Sequence, residues 1–244
     1  MKDILVIGDA CRDIFVYCDS NRLCPDVPVP VLNVLDSTEN PGMAKNVQRN
    51  IISLGYSCDA IVNKNWYNVT KTRYVHKKSN HTFFRVDSVE GKESINIKEL
   101  SYSYKIIVIS DYDKGFISEY DIETICANHD TVFLDTKKKL GSWANNAKYI
   151  KINDTEFRNS YDAITPTMKN KIIHTLGSNG CEYRDKHYPV NKVDVQDVSG
   201  AGDTFLAGLV VEYFKTSDIV SSIEFANKCA SNVVKYRGVS VPQL

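Results

Sequence analysis

Short apolar runs and helix-spaced apolar residues alternate along this chain. Ile4–Ile7, Ile106–Ile109, Val132–Leu134, Tyr149–Ile152 and Lys171–Thr175 predict buried parallel strands. Helical spacing predicts helices over Ala44–Leu54, Ser118–Asn128, Asp203–Phe214 and Ile219–Tyr236. In the last, Ile219, Val220, Ile223, Ala226, Ala230, Val233 and Val234 form one stripe, read as core and not as a binding face. This order implies an open α/β sheet with helices on both faces and ligands at the carboxyl ends of the strands. Two stretches, Arg12–Asp36 and Thr70–Asp87, alternate without helical period. They predict antiparallel strands outside the main sheet, forming a lid. No repeat or linker divides the chain, so a single domain over 1–244 is expected.

Composition narrows the function classes. Thirty basic and thirty acidic residues cancel, so no global field attracts nucleic acid or an anionic membrane. No run is long enough for a transmembrane span. Seven scattered cysteines without a Cys-x-x-Cys suit a reducing cytoplasm and speak against zinc.

The most informative stretch is Asp197-Val198-Ser199-Gly200-Ala201-Gly202-Asp203-Thr204-Phe205. A glycine turn opening a helix gathers unpaired N–H groups at the positive end of the helix dipole, a trap for an anion. Asp203 at its edge would repel phosphate. It makes sense as a general base that deprotonates a hydroxyl attacking a phosphoryl group. Taken alone, a Gly-Ala-Gly-Asp reads first as a Gly-rich turn with a helix-capping Asp.

Several motifs in order give the chain its resemblance: Ile7-Gly8-Asp9-Ala10-Cys11-Arg12-Asp13, Pro25-Asp26-Val27-Pro28-Val29-Pro30-Val31, Pro41-Gly42-Met43-Ala44-Lys45-Asn46-Val47, Ser110-Asp111-Tyr112-Asp113-Lys114-Gly115, Asp135-Thr136-Lys137, Asn153-Asp154-Thr155-Glu156-Phe157 and Thr175-Leu176-Gly177 through Gly180. The chain resembles the ribokinase-like (PfkB) sugar kinases, and among them most closely the D-glycero-D-manno-heptose 7-phosphate kinases. That resemblance implies a ribokinase-like fold with a small β lid, and ATP and Mg²⁺ as cofactors. Asp203 would be the base, with Gly200, Ala201 and Gly202 forming the anion hole. Asp13, Gly42, Asn46, Asp111 and Lys114 would bind the sugar, with Arg73, Arg85 and Asp87 from the lid. Lys137, Thr175, Gly177, Gly180 and Asn227 would border the nucleotide, and Asn153 and Glu156 would organise the Mg²⁺. A turn Asp at 13, a solvated lysine turn at 137–139 and a helix cap at 153–156 are the plain alternatives.

The resemblance further implies phosphorylation of a heptose 7-phosphate at its anomeric hydroxyl, and a homodimer formed through the lid in some relatives. Lid cations favour a sugar phosphate over a neutral sugar. Fructose, ribose and adenosine kinases of the same family stay open as alternatives, as does a catalytically inactive binder. Met43 stands where those kinases have glycine, and Lys45 where they have a small residue. The segments Ile61–Thr70, after Asp87 and after Phe157 are short, and an appended nucleotidyltransferase domain is not expected. A minimised single kinase domain is therefore expected.

Overall fold

A computed structural model describes residues 2–88 and 93–243. Residues 89–92, part of the short segment after Asp87, lie outside the described residues, as do the two terminal ones. The strands are β1 (Lys2–Gly8), β2 (Ala10–Asp19), β3 (Asn33–Met43), β4 (Cys58–Val62), β5 (Thr70–His76), β6 (Thr82–Asp87), β7 (Tyr104–Asp111), β8 (Val132–Thr136), β9 (Tyr149–Asn153), β10 (Ile172–Thr175), β11 (Cys181–Tyr183) and β12 (Lys186–Tyr188). The helices are α1 (Ala44–Ser53), α2 (Glu119–Asn128), α3 (Asp154–Ser160), α4 (Pro166–Lys169), α5 (Ala201–Thr216) and α6 (Ile219–Val233).

An eight-stranded sheet runs in the order β12-β11-β10-β9-β8-β7-β1-β4, parallel from β4 to β10 and antiparallel at β11 and β12. The five predicted strands all lie inside it. The mostly apolar character of these runs follows from burial on both faces. In β1, Leu5 and Ile7 join one core cluster with Ile122 and Ile125 of α2, whereas Ile4 and Val6 join another with residues of α1, α5 and α6. Helix α5 lies so deep that Asp203 through Val211 are all buried. No helix among the described residues is long and apolar enough to cross a membrane.

The lid is a second sheet of four strands, β3-β2-β5-β6. It differs from the expectation in two respects. Strand β3 runs on through Pro41, Gly42 and Met43, past the expected end at Asp36. The central pair β2–β5 is parallel, with antiparallel neighbours on either side. The chain leaves β2 through β3 and returns to the main sheet for α1 and β4 before starting β5, so β5 re-enters in the same sense as β2.

Residues paired across neighbouring strands share a face. The register places Asp13 beside Lys71 and Phe15 beside Arg73, then Lys71 beside Asp87 and Arg73 beside Arg85. Asp13 also pairs with Asn40 and Cys11 with Gly42. Asp13, Gly42, Lys71, Arg73, Arg85 and Asp87 therefore occupy one face of the lid. Ile14, Val16, Tyr74, Phe84 and Val86 occupy the other.

Candidate active site

The carboxyl ends of the parallel strands and the start of α5 enclose a cavity of about 630 Å³. Gly200 is the N-cap of α5 at φ 77°, a left-handed conformation that glycine adopts without cost. A Cβ there would also lie 2.9 Å from Asn46 Nδ2. The turn is thus glycine for backbone shape and for the close approach of α1. The Ala201 N–H donates to Val198 O at 3.2 Å, so the turn's N–H groups without an intrahelical acceptor are those of Gly202 and Asp203.

Asp203 is buried in the first turn of α5. The Tyr112 hydroxyl donates to its Oδ1 at 2.6 Å, and Asn46 Nδ2 donates to its Oδ2 at 2.9 Å. Burial pushes its carboxyl up to about 6, against the two hydrogen bonds; Asp135 raises it further and Lys151 lowers it. A carboxylate with that value is ionised at neutral pH yet basic enough to accept a proton, as a general base requires.

Around it the cavity has two ends. Lys137, Lys151, Asn153 and the glycine turn line the polar end. Lys151 Nζ would lie 3.3 Å from a Cβ at Gly202 and pairs with Asp135 Oδ2 at 2.6 Å, both side chains buried. The other end is bounded by Thr175, Gly177, Gly180 and Asn227, with Val193, Val195, Val198, Ala230 and Val234. Ala230 and Val234 correct the expectation for the α6 stripe. Ile223, Ala226 and Val233 are core, but the stripe's last two turns lend these two residues to the cavity wall.

The sugar-side expectations divide. Asn46 reaches Asp203 directly. Asp13 lies within β2 and not in a turn at a strand end, and it accepts from Arg73 Nη1 at 2.7 Å. A Cβ at Gly42 would come within 2.4 Å of Asp13 Oδ2, so these three residues form one cluster on the lid's inner face. Arg85 is exposed and grips its neighbour Asp87 through Nε and Nη2. Asp111 departs from the expectation in that its fully buried carboxylate accepts from Thr136 Oγ1, Lys138 Nζ and the Asp113 N–H and does not line the cavity. Desolvation nonetheless raises its pKa. Lys114 lies on an exposed turn and does not line the cavity.

Asn153 and Glu156 form a complete capping box on α3, the plain alternative noted from the sequence. Glu156 also pairs with Lys137 Nζ, and it does not line the cavity. Among the described residues no three metal-binding side chains cluster. A full protein cage for Mg²⁺ is therefore not what these residues offer. An ion that keeps its waters fits better, and the buried Asp135 Oδ1, without a hydrogen-bond partner, is an acceptor such a water would satisfy.

Sequence reasoning passed over three contributors. Lys151 was legible as the one charge inside the buried run Tyr149–Ile152. Asp9, at the end of β1, accepts from the N–H groups of Tyr112, Lys114 and Phe116 at 2.7, 3.4 and 3.3 Å and so fixes the loop after β7. Tyr112 lay within a quoted motif, but nothing in the sequence aims its hydroxyl at Asp203.

Comparison with known proteins agrees with this arrangement. The family described as pfkB family carbohydrate kinase matches residues 87–244. The Bifunctional protein HldE of Helicobacter acinonychis is 28% identical over 302 residues, covering 100% of this chain and 65% of the relative. That of Helicobacter pylori strain P12 is 29% identical with the same coverage. The chain thus spans about 65% of the length of these relatives. Ribokinase from Thermotoga maritima superposes with a TM-score of 0.74 at 14% identity, covering 98% of this chain and 94% of that one. Phosphofructokinase-2 from Escherichia coli in complex with fructose-6-phosphate gives 0.73 at 14% identity, with 96% and 94% coverage. Fold, site geometry and the family match together show that the chain belongs to the pfkB family of carbohydrate kinases.

Proposed function

We propose that this kinase transfers the γ-phosphoryl group of ATP to a hydroxyl of a sugar phosphate, with a heptose 7-phosphate, phosphorylated at its anomeric hydroxyl, as the best-supported acceptor. The observation that carries the reading is the position of Asp203, in the cavity wall at the glycine turn, with Tyr112 between it and Lys71 of the lid's inner face. Asp203 takes the acceptor proton. The Gly202 and Asp203 N–H groups, the α5 dipole, Lys137 and Lys151 stabilise charge on the phosphoryl oxygens. The apolar end, with Thr175, Gly177, Gly180 and Asn227, holds the base and ribose of the nucleotide. When bound, Mg²⁺ would neutralise phosphate charge, with Asn153 and Glu156 orienting its waters.

Preference for a phosphorylated acceptor is supported by the lid's charge pairing. Arg73 is neutralised by Asp13, and Arg85 by Asp87. Among the described residues Lys71 has no carboxylate within ion-pair distance; its amine sits 5.3 Å from the ring centroid of Tyr112, whose hydroxyl meets Asp203. The heptose assignment rests on the motif resemblance.

The exposed Phe84 and Val86, on the lid's outer face with Tyr74, suit a homodimer contact. Seven free cysteines suit a reducing cytoplasm. An ATP-consumption screen over heptose 7-phosphate, fructose 6-phosphate, fructose, ribose and adenosine tests the proposal. Highest kcat/KM on heptose 7-phosphate supports it; equal or better turnover of the neutral sugars or adenosine overturns it.

A further inference from the structure

The loop after β7 carries a phenol into the centre of the site. Tyr112 donates its hydroxyl to Asp203 Oδ1 at 2.6 Å, while its own N–H is tied to Asp9 Oδ2 at 2.7 Å. The ring packs against the buried cluster of Cys11, Met43 and Val69. Two amines cover it, Lys71 from the lid and Lys137 from the main sheet, each 5.3 Å from the ring centroid. Met43 holds an unusual backbone, φ 57° and ψ −133°, in a region that favours glycine. A bulky side chain in such a conformation is strained, and strain of this kind collects at functional sites. Met43 is also buried, at the hinge where β3 of the lid passes into α1, and it belongs to the cluster against which Tyr112 packs.

We propose that Tyr112 is a positioning residue, clamped by the Met43 hinge and the Asp9 anchor, which holds the Asp203 carboxylate in the orientation and ionised state needed to accept the substrate proton. The inference rests on the reading of Asp203 as the base. Each carboxylate oxygen has two lone pairs, so Oδ1 keeps one for the acceptor hydroxyl while Tyr112 occupies the other. The anchored backbone and the packed ring make the phenol a fixed strut and not a plug that substrate must displace. Other groups facing this pair are Asp135, Lys151 and Lys137 around Asp203, and Asp13 and Lys71 around Tyr112. Burial and the Asp203 charge keep the phenol protonated, so it remains a donor throughout the working range.

The test uses the full chain and two readouts. Infrared difference titration follows the Asp203 carboxyl directly, with Asp203→Asn identifying its band, and needs no acceptor. Tyr112→Phe removes the donor and little else, and should raise the Asp203 midpoint by about one pH unit or more, since a hydrogen bond to a charged group is lost. With ATP and heptose 7-phosphate, the acid limb of kcat should move up by the same amount while KM for ATP holds. Met43→Gly frees the hinge but keeps the phenol, and should move the midpoint in the same direction by less. An unmoved midpoint in Tyr112→Phe overturns the proposal, even if the melting temperature falls. An unmoved midpoint in Met43→Gly removes the hinge from it. Turnover retained in Asp203→Asn would instead refute Asp203 as the base, a separate failure.

Discussion

Replacing Asp203 by Asn should make the protein more stable and nearly inactive, and the gain should depend on pH. The carboxyl is buried and its pKa rises from 3.8 to about 6 on folding. A carboxyl raised by folding binds its proton more tightly in the native state. Its burial therefore costs nothing below about pH 4, and the cost grows as pH climbs to about 6 and then stays level. A displacement of about two pH units corresponds to about 3 kcal/mol. Part of this is not recovered in Asp203→Asn. The new amide keeps its oxygen on Asn46 Nδ2 and turns its nitrogen to the Tyr112 hydroxyl, which can accept, so charge-assisted hydrogen bonds are exchanged for neutral ones. Asn46 stays a donor here because its own Oδ1 accepts from Asn50 Nδ2 at 3.2 Å. Charging about 1 kcal/mol for that exchange leaves a gain of about 2 kcal/mol above pH 6. For a domain of this size that is about 4–8 °C in Tm. Calorimetry of parent and variant at pH 4 and pH 8 checks it: the Tm difference should open by several degrees between the two. Parallel Tm curves, or a variant less stable at pH 8, would refute the reasoning. The same variant should lose roughly two or more orders of magnitude in kcat, the scale of a general base.

Three further outcomes follow from the site. Lys71→Met should raise KM for a phosphorylated acceptor about ten-fold or more, the scale of a lost charged hydrogen bond, while Arg85→Met should change it far less because Asp87 already pairs with Arg85; steady-state kinetics on both variants decide this. Glu156→Gln should raise the Mg²⁺ concentration for half-maximal turnover and cost about 1 kcal/mol of stability, since it weakens the α3 capping box and the Lys137 pair; a metal titration matching the parent would leave Glu156 as a cap alone. Lys151→Met should lower kcat at unchanged acceptor KM and leave the buried Asp135 with only its longer, 3.9 Å contact to Lys137 Nζ, destabilising the fold by up to about 3 kcal/mol, measurable by denaturant unfolding.

The central strands were legible because burial on both faces writes short, mostly apolar runs into β1 and β7–β10. Strand β4 was not, since Cys58-Asp59-Ala60-Ile61-Val62 is an edge with one charged position and only partial burial. Strands β11 and β12 are three residues each and partly exposed, too short for any period to register. The parallel pairing of β2 with β5 is set by the path between them and leaves no mark in either strand. At the site, the glycine turn and Asp203 were readable from local chemistry. Asp111 misled because an acid at a strand end looks the same whether it faces ligand or Lys138. Met43 was visible as a departure, but its positive φ belongs to the hinge geometry and needed three dimensions to appear.

The interleaved path of the lid has a consequence for how the site comes into being. β2 and β5 pair residues about sixty positions apart, with α1 and β4 threaded through the main sheet between them. Closing so long a span is unfavourable until the intervening chain is fixed. The inner face that carries Asp13, Lys71 and Arg73 can therefore gather only after β1, α1 and β4 have docked. On the proposed reading, a full-length but partly folded molecule would hold the glycine turn and the nucleotide wall before it holds an acceptor site. Such a molecule would grip ATP with nothing beside it to phosphorylate, and recognition of the sugar would be the last ability gained in folding and the first lost in unfolding.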